Sequence, residues 1–354
     1  MRIETIHPKE IGPGEAALWR AHQAADASLA SPYFTPEWAR LIGQVRDDAR
    51  VCVIGGGRGF FAAQRVNRFA AMGIGAPLSD YQGVVGEQGL SVNAAALCKA
   101  LRVGRIDLVH VPQGQSVLAN AAAGAEGSWV AETHGGGDLY AAGLKLKRQE
   151  FVRQTDKKLR KFEREHGQLT FSVSADRAHF ETLLTWKNAQ LRRSGQPEIW
   201  ARPWVRRVLD DCFLAREHGF AGVLFTLSLG ERLVAANFML RSHAVLHDWV
   251  VAHDNAFDSY SPGVLLARWA IGWAGDHGVA EVEFGLGDTQ YKRQLSTTQR
   301  MLEWGVVAGP SVSGALRRAT YALRAGVERM PDKRLAALPG KAMRRLDLMR
   351  ALAA

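Results

Sequence analysis

Two stretches of this chain repeat one another, and that repeat limits the fold more than any other feature. "VCVIGGGRGFFAAQRVNR" (51–68) and "VLFTLSLGERLVAANFMLR" (223–241) both read as strand, glycine turn, strand. After Gly57 and Gly230 they agree by position: a charged residue, one more position, two apolar positions, Ala-Ala, then an amide. Ala62-Ala63-Gln64 thus answers to Ala235-Ala236-Asn237, an offset of 235 − 62 = 173 residues. Upstream, "TPEWARLI" (35–42) parallels "RPWVRRVL" (202–209), each a short helix opened by proline and tryptophan. The two matches fall in the same order and predict a duplicated unit of half the chain. At 354 residues, the length also exceeds what one hydrophobic core usually serves.

Composition narrows the class. Hydrophobic residues at 47% and charged residues at 23% describe a globular protein, neither disordered nor fibrous. No window approaches a membrane-spanning apolar run, and "MRIETIHPKEIGPGE" lacks the apolar centre of a signal peptide. The three cysteines, Cys52, Cys98 and Cys212, suit a reducing compartment and show no metal-ligand spacing. The expectation is a cytoplasmic protein without a metal. Its net charge of +10 is local. Residues 311–354 hold ten Lys/Arg and three acids, or +7, and 145–165 hold nine and four, or +5. The remainder is near neutral, which argues against a duplex-DNA partner, since that needs a basic field across a folded face. The tail could instead dock on anionic lipid at the inner membrane, with Leu316, Ala319 and Leu323 on one side and arginines opposite, or be a solvated surface helix.

The first half reads as helices at 14–30 and 36–45, a hairpin at 50–66, a helix at 91–101, and strands near 106–110 and 128–133. A basic helix over 142–166 leads to a strand at 168–174 and helices at 176–194 and 203–217. Three strands follow (220–229, 232–241, 243–252), then a helix at 262–277, a strand at 280–285, a short helix from 288 and a strand at 303–308. The tail reads as two basic helices broken at Pro331 and at Pro339-Gly340. This order predicts an α/β or α+β fold. It would hold two tandem units of mixed sheet flanked by helices, 1–141 and 167–310, with bridging helix 142–166 and basic tail 311–354.

Three stretches compete for the chemistry. "VIGGGRGF" follows a strand, but the next residues are strand-like, with no helix N-terminus for a pyrophosphate; a hairpin turn explains it. In "DNAFDSYSPGVLLARWAIGWA" (254–274), Ser261 reads as an N-cap, Pro262 as the first helical position, and Gly263 as room for a close approach. Amides of Ser261, Gly263 and Val264 then face a phosphate or a carbonyl, unless the helix only packs. In "EFGLGDTQYKRQL" (283–295), Asp288 reads as a helix cap, with Tyr291 and Lys292 in the first turn. A cation there opposes the macrodipole, so Lys292 either serves a ligand or reaches solvent. Both helix starts open at one end of a sheet, where α/β folds bind ligands.

In "AVLHDWVVAHD", alternation places His247, Trp249, Val251 and His253 on one face and Asp248 on the other. Either histidine is a candidate base, and Trp249 a candidate acceptor contact. Asp80-Tyr81 in "PLSDYQG" reads as an acceptor-binding loop or an Asx-turn that holds that loop. Cys212 reads as core.

"SPGVLL" followed by "FGLGDTQYKRQL" resembles the C-terminal half of the CelD-type acyltransferases, tandem members of the GNAT superfamily related to the FemABX peptidyltransferases. "SPYFTPEWARL" (31–41), "PLSDYQGVV" (77–85) and "DKKLRKFEREHGQLTF" (156–171) fit the same family in order, so the resemblance spans about residues 30–308. It implies two GNAT-like units and acyl transfer from acyl-CoA, acetyl-CoA first among donors, to a small or lipid-linked sugar acceptor in exopolysaccharide or envelope synthesis. It also implies Tyr291 as the acid for the leaving group and Lys292 as a phosphate or oxyanion partner. Acetyl-CoA loops of the superfamily read Gln/Arg-x-x-Gly-x-Gly/Ala. Aligned on Gly263, this chain has Tyr260 and Leu265 at the first and last positions. That departure keeps two alternatives open: a FemABX-like aminoacyl transferase, or a ligand-binding module without turnover.

Overall fold

The computed structural model describes residues 1–217, 219–328 and 333–353, with 333–338 and 353 as backbone only. The first elements are β1 (Ile3–Ile6), α1 (Pro13–Ala24), α2 (Pro36–Val45), β2 (Ala49–Ile54), β3 (Gly59–Asn67), β4 (Ala70–Gly73), β5 (Val84–Gly86), α3 (Ala94–Leu101), β6 (Arg105–Pro112) and β7 (Ala122–Glu132). Next come α4 (Gly137–Lys147), α5 (Gln149–His166), β8 (Leu169–Ser174), α6 (Arg177–Arg193), α7 (Pro203–Leu214), β9 (Arg216–Glu217), β10 (Phe220–Leu229), β11 (Arg232–Arg241) and β12 (Val245–His253). The chain ends with α8 (Pro262–Asp276), β13 (Glu281–Gly285), α9 (Gln290–Leu295), β14 (Thr298–Ala308), α10 (Val312–Glu328) and α11 (Lys333–Ala353).

The chain forms two compact units: Met1–Leu29, Tyr33–Glu126 and Met301–Ala354 in the first, Ala30–Pro32 and Gly127–Arg300 in the second. In the first, the strand order is β1-β2-β3-β4-β6-β14; in the second it is β8-β10-β11-β12-β13-β7. Each has three antiparallel pairings, one parallel pairing (β4 with β6; β12 with β13) and a final antiparallel one (β14 with β6; β7 with β13). The repeat seen in the sequence is the second and third strands of each sheet. Both hairpins turn on glycine at positive φ, Gly57 at 105° and Gly230 at 56°, where a side chain would be strained.

The linear division into 1–141 and 167–310 does not describe these units. β7 follows β6 in sequence but completes the second unit's sheet, whereas β14 follows β13 and completes the first. The two sixth strands are exchanged. The bridging helix is two helices, α4 and α5, interrupted at Arg148 (φ −135°, ψ 43°), and both belong to the second unit.

The tail is part of the first unit. Arg317, buried, faces Asp107 at 3.1 Å and Asp347 at 2.5 Å, and Arg105 also holds Asp107. Arg317 of α10 therefore packs inward, whereas Arg318 beside it is exposed. α11 continues through Pro339, where a break was expected; Pro331 lies outside the described residues.

The second unit's core joins β10 to β13 with α8. Leu266, Ala270, Ile271 and Ala274 of α8 lie on Phe225, Leu246 and Val282 of the sheet, and each large aliphatic side chain so buried contributes about 1.5–3 kcal/mol. Pro262 fits the first helical position because its missing N–H is not needed there. Cys212 is fully buried core, as expected.

Candidate active site

β12 pairs with β13 only at Val245, Leu246 and His247. Beyond His247 the two strands no longer pair, and a cavity of about 590 Å³ lies along this part of β12. α6 lines it with Trp186, Lys187, Gln190 and Arg193; β11 with Asn237; β12 with Asp248, Val251, Ala252 and His253. Ser261, Gly263, Val264 and Ala267 at the start of α8 close one end, and Tyr291 of α9 lies along it.

A β-bulge decides which residues of β12 face this space. Phe238 stands opposite Val250 and Met239 opposite Asp248, so Trp249 has no cross-strand counterpart. One residue is out of step. Asp248 therefore joins Val251 and His253 at the cavity, and the face predicted by strict alternation is corrected. His247 is fully buried elsewhere: its Nδ1 lies 3.2 Å from Glu283, which also takes Arg300. Trp249 packs on Trp200 and Phe238.

The cavity floor is electrostatically unusual. Burial pushes the Asp248 carboxyl above the ordinary carboxylate range, against the lowering influence of Asn237, Lys292, His247 and Lys187. Burial also lowers the Lys187 ammonium, which donates to Val251 O at 3.2 Å. The Tyr291 phenol is pushed well above the tyrosine range, first by burial and then by the Asp248 carboxylate beside it. It therefore stays protonated. Asp248 Oδ1 and both amide atoms of Asn237 are buried and complete no hydrogen bond with a described residue. An unpaired buried polar group costs about 1–3 kcal/mol, and such groups persist where a ligand satisfies them.

Other expected site residues have different partners. Ser261 adopts a left-handed backbone (φ 54°) and makes no side-chain cap; its Oγ accepts from Lys158 Nζ at 2.7 Å. A Cβ on Gly263 would meet nothing nearer than His253 Nδ1 at 3.7 Å, so this glycine leaves open space. His253 Nε2 is 2.7 Å from Asp258 Oδ1. Asp288 does not cap α9, whose N-cap is Thr289; it pairs with Arg293 at 2.5 Å. Lys292 donates to Leu286 O at 2.6 Å and is not among the residues lining the cavity. Asp80 and Tyr81 belong to the first unit, where Tyr81 is core beside Phe34 and Asp80 lies 3.9 Å from His110. Tyr260 donates to Glu165 at 2.5 Å and lies 3.1 Å from His166, tying the loop before α8 to α5.

Lys187, Asn237 and Asp248 were not among the residues singled out from sequence. Asn237 had a signal, an amide inside the apolar run "LVAANFML". Lys187, one cation on a mixed helix, had none.

A family model described as an acetyltransferase (GNAT) domain matches residues 149–293, so the second unit carries a GNAT-type acyltransferase domain. Among solved structures, FemX superposes with a TM-score of 0.60 at 12% identity, over 91% of this chain and 100% of its own. The C-terminal DUF2156 domain named for a lysylphosphatidylglycerol synthetase from Agrobacterium fabrum gives 0.54 at 11%, over 87% and 96%. A conserved protein of unknown function from Bacteroides thetaiotaomicron gives 0.51 at 12%, over 76% and 88%. At these identities the likeness is one of fold. No curated protein sequence matches the chain.

Proposed function

We propose that the second unit transfers an acyl group from an acyl-CoA, with acetyl-CoA the simplest case, to a hydroxyl or amine of a sugar or envelope precursor. The observation that carries this reading is the set of buried polar atoms, Asp248 Oδ1 and the Asn237 amide, in a cleft lined by α6, β11, β12 and the start of α8. The cleft fits such a donor: the α8 N-terminus, with its positive dipole end, lines one end, and Lys158 stands at Ser261. Bound there, the donor would supply the activated acyl carbon.

The chain's own groups divide the remaining work. Asp248, its basicity raised by burial, takes the proton from the attacking hydroxyl or amine, and a base poised nearer neutrality does this better. Tyr291, held protonated, donates toward the leaving sulfur. Lys187 balances the buried carboxylate. Lys292 acts through the field at Asp248 and Lys187. The acceptor end is formed by Trp186, Gln190 and Arg193, an aromatic face with hydrogen-bonding groups suited to a sugar. An exopolysaccharide role, as in the CelD-type proteins, is the finer form of this proposal.

One observation favours a second reading, aminoacyl transfer. The position where acetyl-CoA loops carry Gln or Arg is Tyr260, bound to the basic helix α5 with its Lys157, Lys158, Arg160, Lys161 and Arg164. Such a helix suits a polyanionic donor. Titration calorimetry with acetyl-CoA and longer acyl-CoAs, followed by thiol release with sugar-nucleotide acceptors, tests both. Binding with acceptor-dependent thiol release supports acyl-CoA transfer. Retention of aminoacyl-tRNA without acyl-CoA binding supports the second reading. Acyl-CoA binding without release under any acceptor would leave a ligand-binding module and overturn the catalytic proposal.

A further inference from the structure

The helix α10 is mounted with its apolar stripe outward. A surface helix normally turns its apolar stripe to the core and its charges to water. Along α10 the buried positions are Gly314, Arg317 and Tyr321, with Arg317 held by Asp107 and Asp347. The Arg324 guanidinium lies 4.2 Å from the centre of the Trp304 ring. The stripe Val312, Leu316, Leu323, one face by its spacing, is instead 79%, 64% and 69% exposed. On α11, Ala351 and Leu352 are buried and Asp347 faces Arg317, while Leu346 and Met349 are 56% and 53% exposed.

Exposed apolar rows of this kind mark an interaction surface, and the surrounding charge says with what. Among described side chains of α10 and α11, Arg318, Lys341, Arg344, Arg345 and Arg350 are exposed against one exposed acid, Glu328, so five minus one leaves +4. A second copy would bring the same +4 against it and be repelled. An anionic bilayer meets both requirements, since its acyl boundary accepts Val, Leu and Met while its head groups pair with Arg and Lys. No described helix is long and apolar enough to cross a membrane, which leaves the interfacial arrangement. We infer that α10 and α11 dock the first unit on an anionic lipid surface, lying in the plane of the head groups. This rests on the tail alone and is independent of what the second unit transfers.

The test is co-sedimentation of the full chain with vesicles of phosphatidylcholine alone and of phosphatidylcholine with phosphatidylglycerol. Binding is expected only to the anionic vesicles, weakening as salt screens the charges. The double variant Leu316→Glu, Leu323→Glu removes about nine-tenths of the bound fraction without changing the melting temperature, because both side chains are solvent-facing. Failure of the unaltered chain to bind anionic vesicles, or equal binding by the double variant, would overturn the inference. So would a concentration-dependent dimer abolished by the same pair, which would assign the stripe to a second copy.

Discussion

The two units share a strand order, yet their matching strand positions are occupied differently. Registers place Met72 opposite Gln64 and Val251 opposite Asn237, so Met72 and Val251 occupy matching places in the two sheets. In the second unit, pairing with β13 has stopped at His247, four residues before Val251, and the cleft begins there. In the first, Met72 is itself still paired, with Asp107 of β6. A cavity of about 220 Å³ lies beside Met72, and Leu348 and Ala351 of the tail form part of its wall. The amides of the repeat follow the same division. Gln64 is satisfied, its Nε2 donating to Ala76 O and its Oε1 accepting from Gly75 N, whereas Asn237 faces the cleft unpartnered. A shared topology thus specifies neither a site nor its absence. What decides is where a parallel pair of strands stops pairing, and what fills the gap.

Four substitutions probe this contrast. The largest effect is expected from Asp248→Asn, which should lower kcat/KM about 10²–10⁴-fold, the usual worth of a general base. It should also remove the acid limb of the pH profile. With the carboxyl pKa raised by burial, activity of the unaltered enzyme declines as pH falls through that raised value, above the ordinary ~3.9 of an aspartate. A loss of only a few-fold would break the assignment of chemistry to the second unit.

Arg317→Ala comes next. It leaves Asp107 and Asp347 facing each other without their cation, at a cost of about 3–5 kcal/mol. Hydrogen exchange should show lost protection in β4, β6 and α10, with β10–β12 retaining theirs. Equal loss in both units would mean that they do not respond separately.

The smallest effect is the sharpest comparison. Gln64→Ala should destabilise by about 1–3 kcal/mol through two lost buried hydrogen bonds and leave kcat/KM unchanged. Asn237→Ala should reduce kcat/KM with a smaller change in stability than Gln64→Ala, since Asn237 supports the Asp248 carboxyl but completes no bond to the backbone. Urea melts and steady-state rates on the parent and the two variants check both.

How much of this was legible in the sequence follows from the range of the forces involved. The repeated hairpins were readable, because turn glycines and Ala-Ala-amide patterns act over a few residues. The helix start at Pro262 and the place of Tyr291 in the first turn of α9 were readable for the same reason. Asp248 was assigned to the wrong face because the bulge at Trp249 arises from cross-strand register, which strict alternation along one strand does not encode. Lys292 was expected to reach the ligand, but a carbonyl six residues away, Leu286 O, captures it. The inward placement of Arg317 on α10 depends on Asp107, more than two hundred residues earlier in the chain, and no local pattern announces that pairing.

The exchanged sixth strands have a consequence for how the protein is made. As synthesis proceeds, β6 emerges long before β14, which alone completes its sheet; until the ribosome has delivered that late segment, an edge of the early half stands bare. Nor can either half be expressed usefully by a single cut, since each cut strands one partner's closing ribbon on the wrong polypeptide. The chain is divisible in architecture but indivisible as a gene product, and its maturation should be slow and prone to chaperone capture.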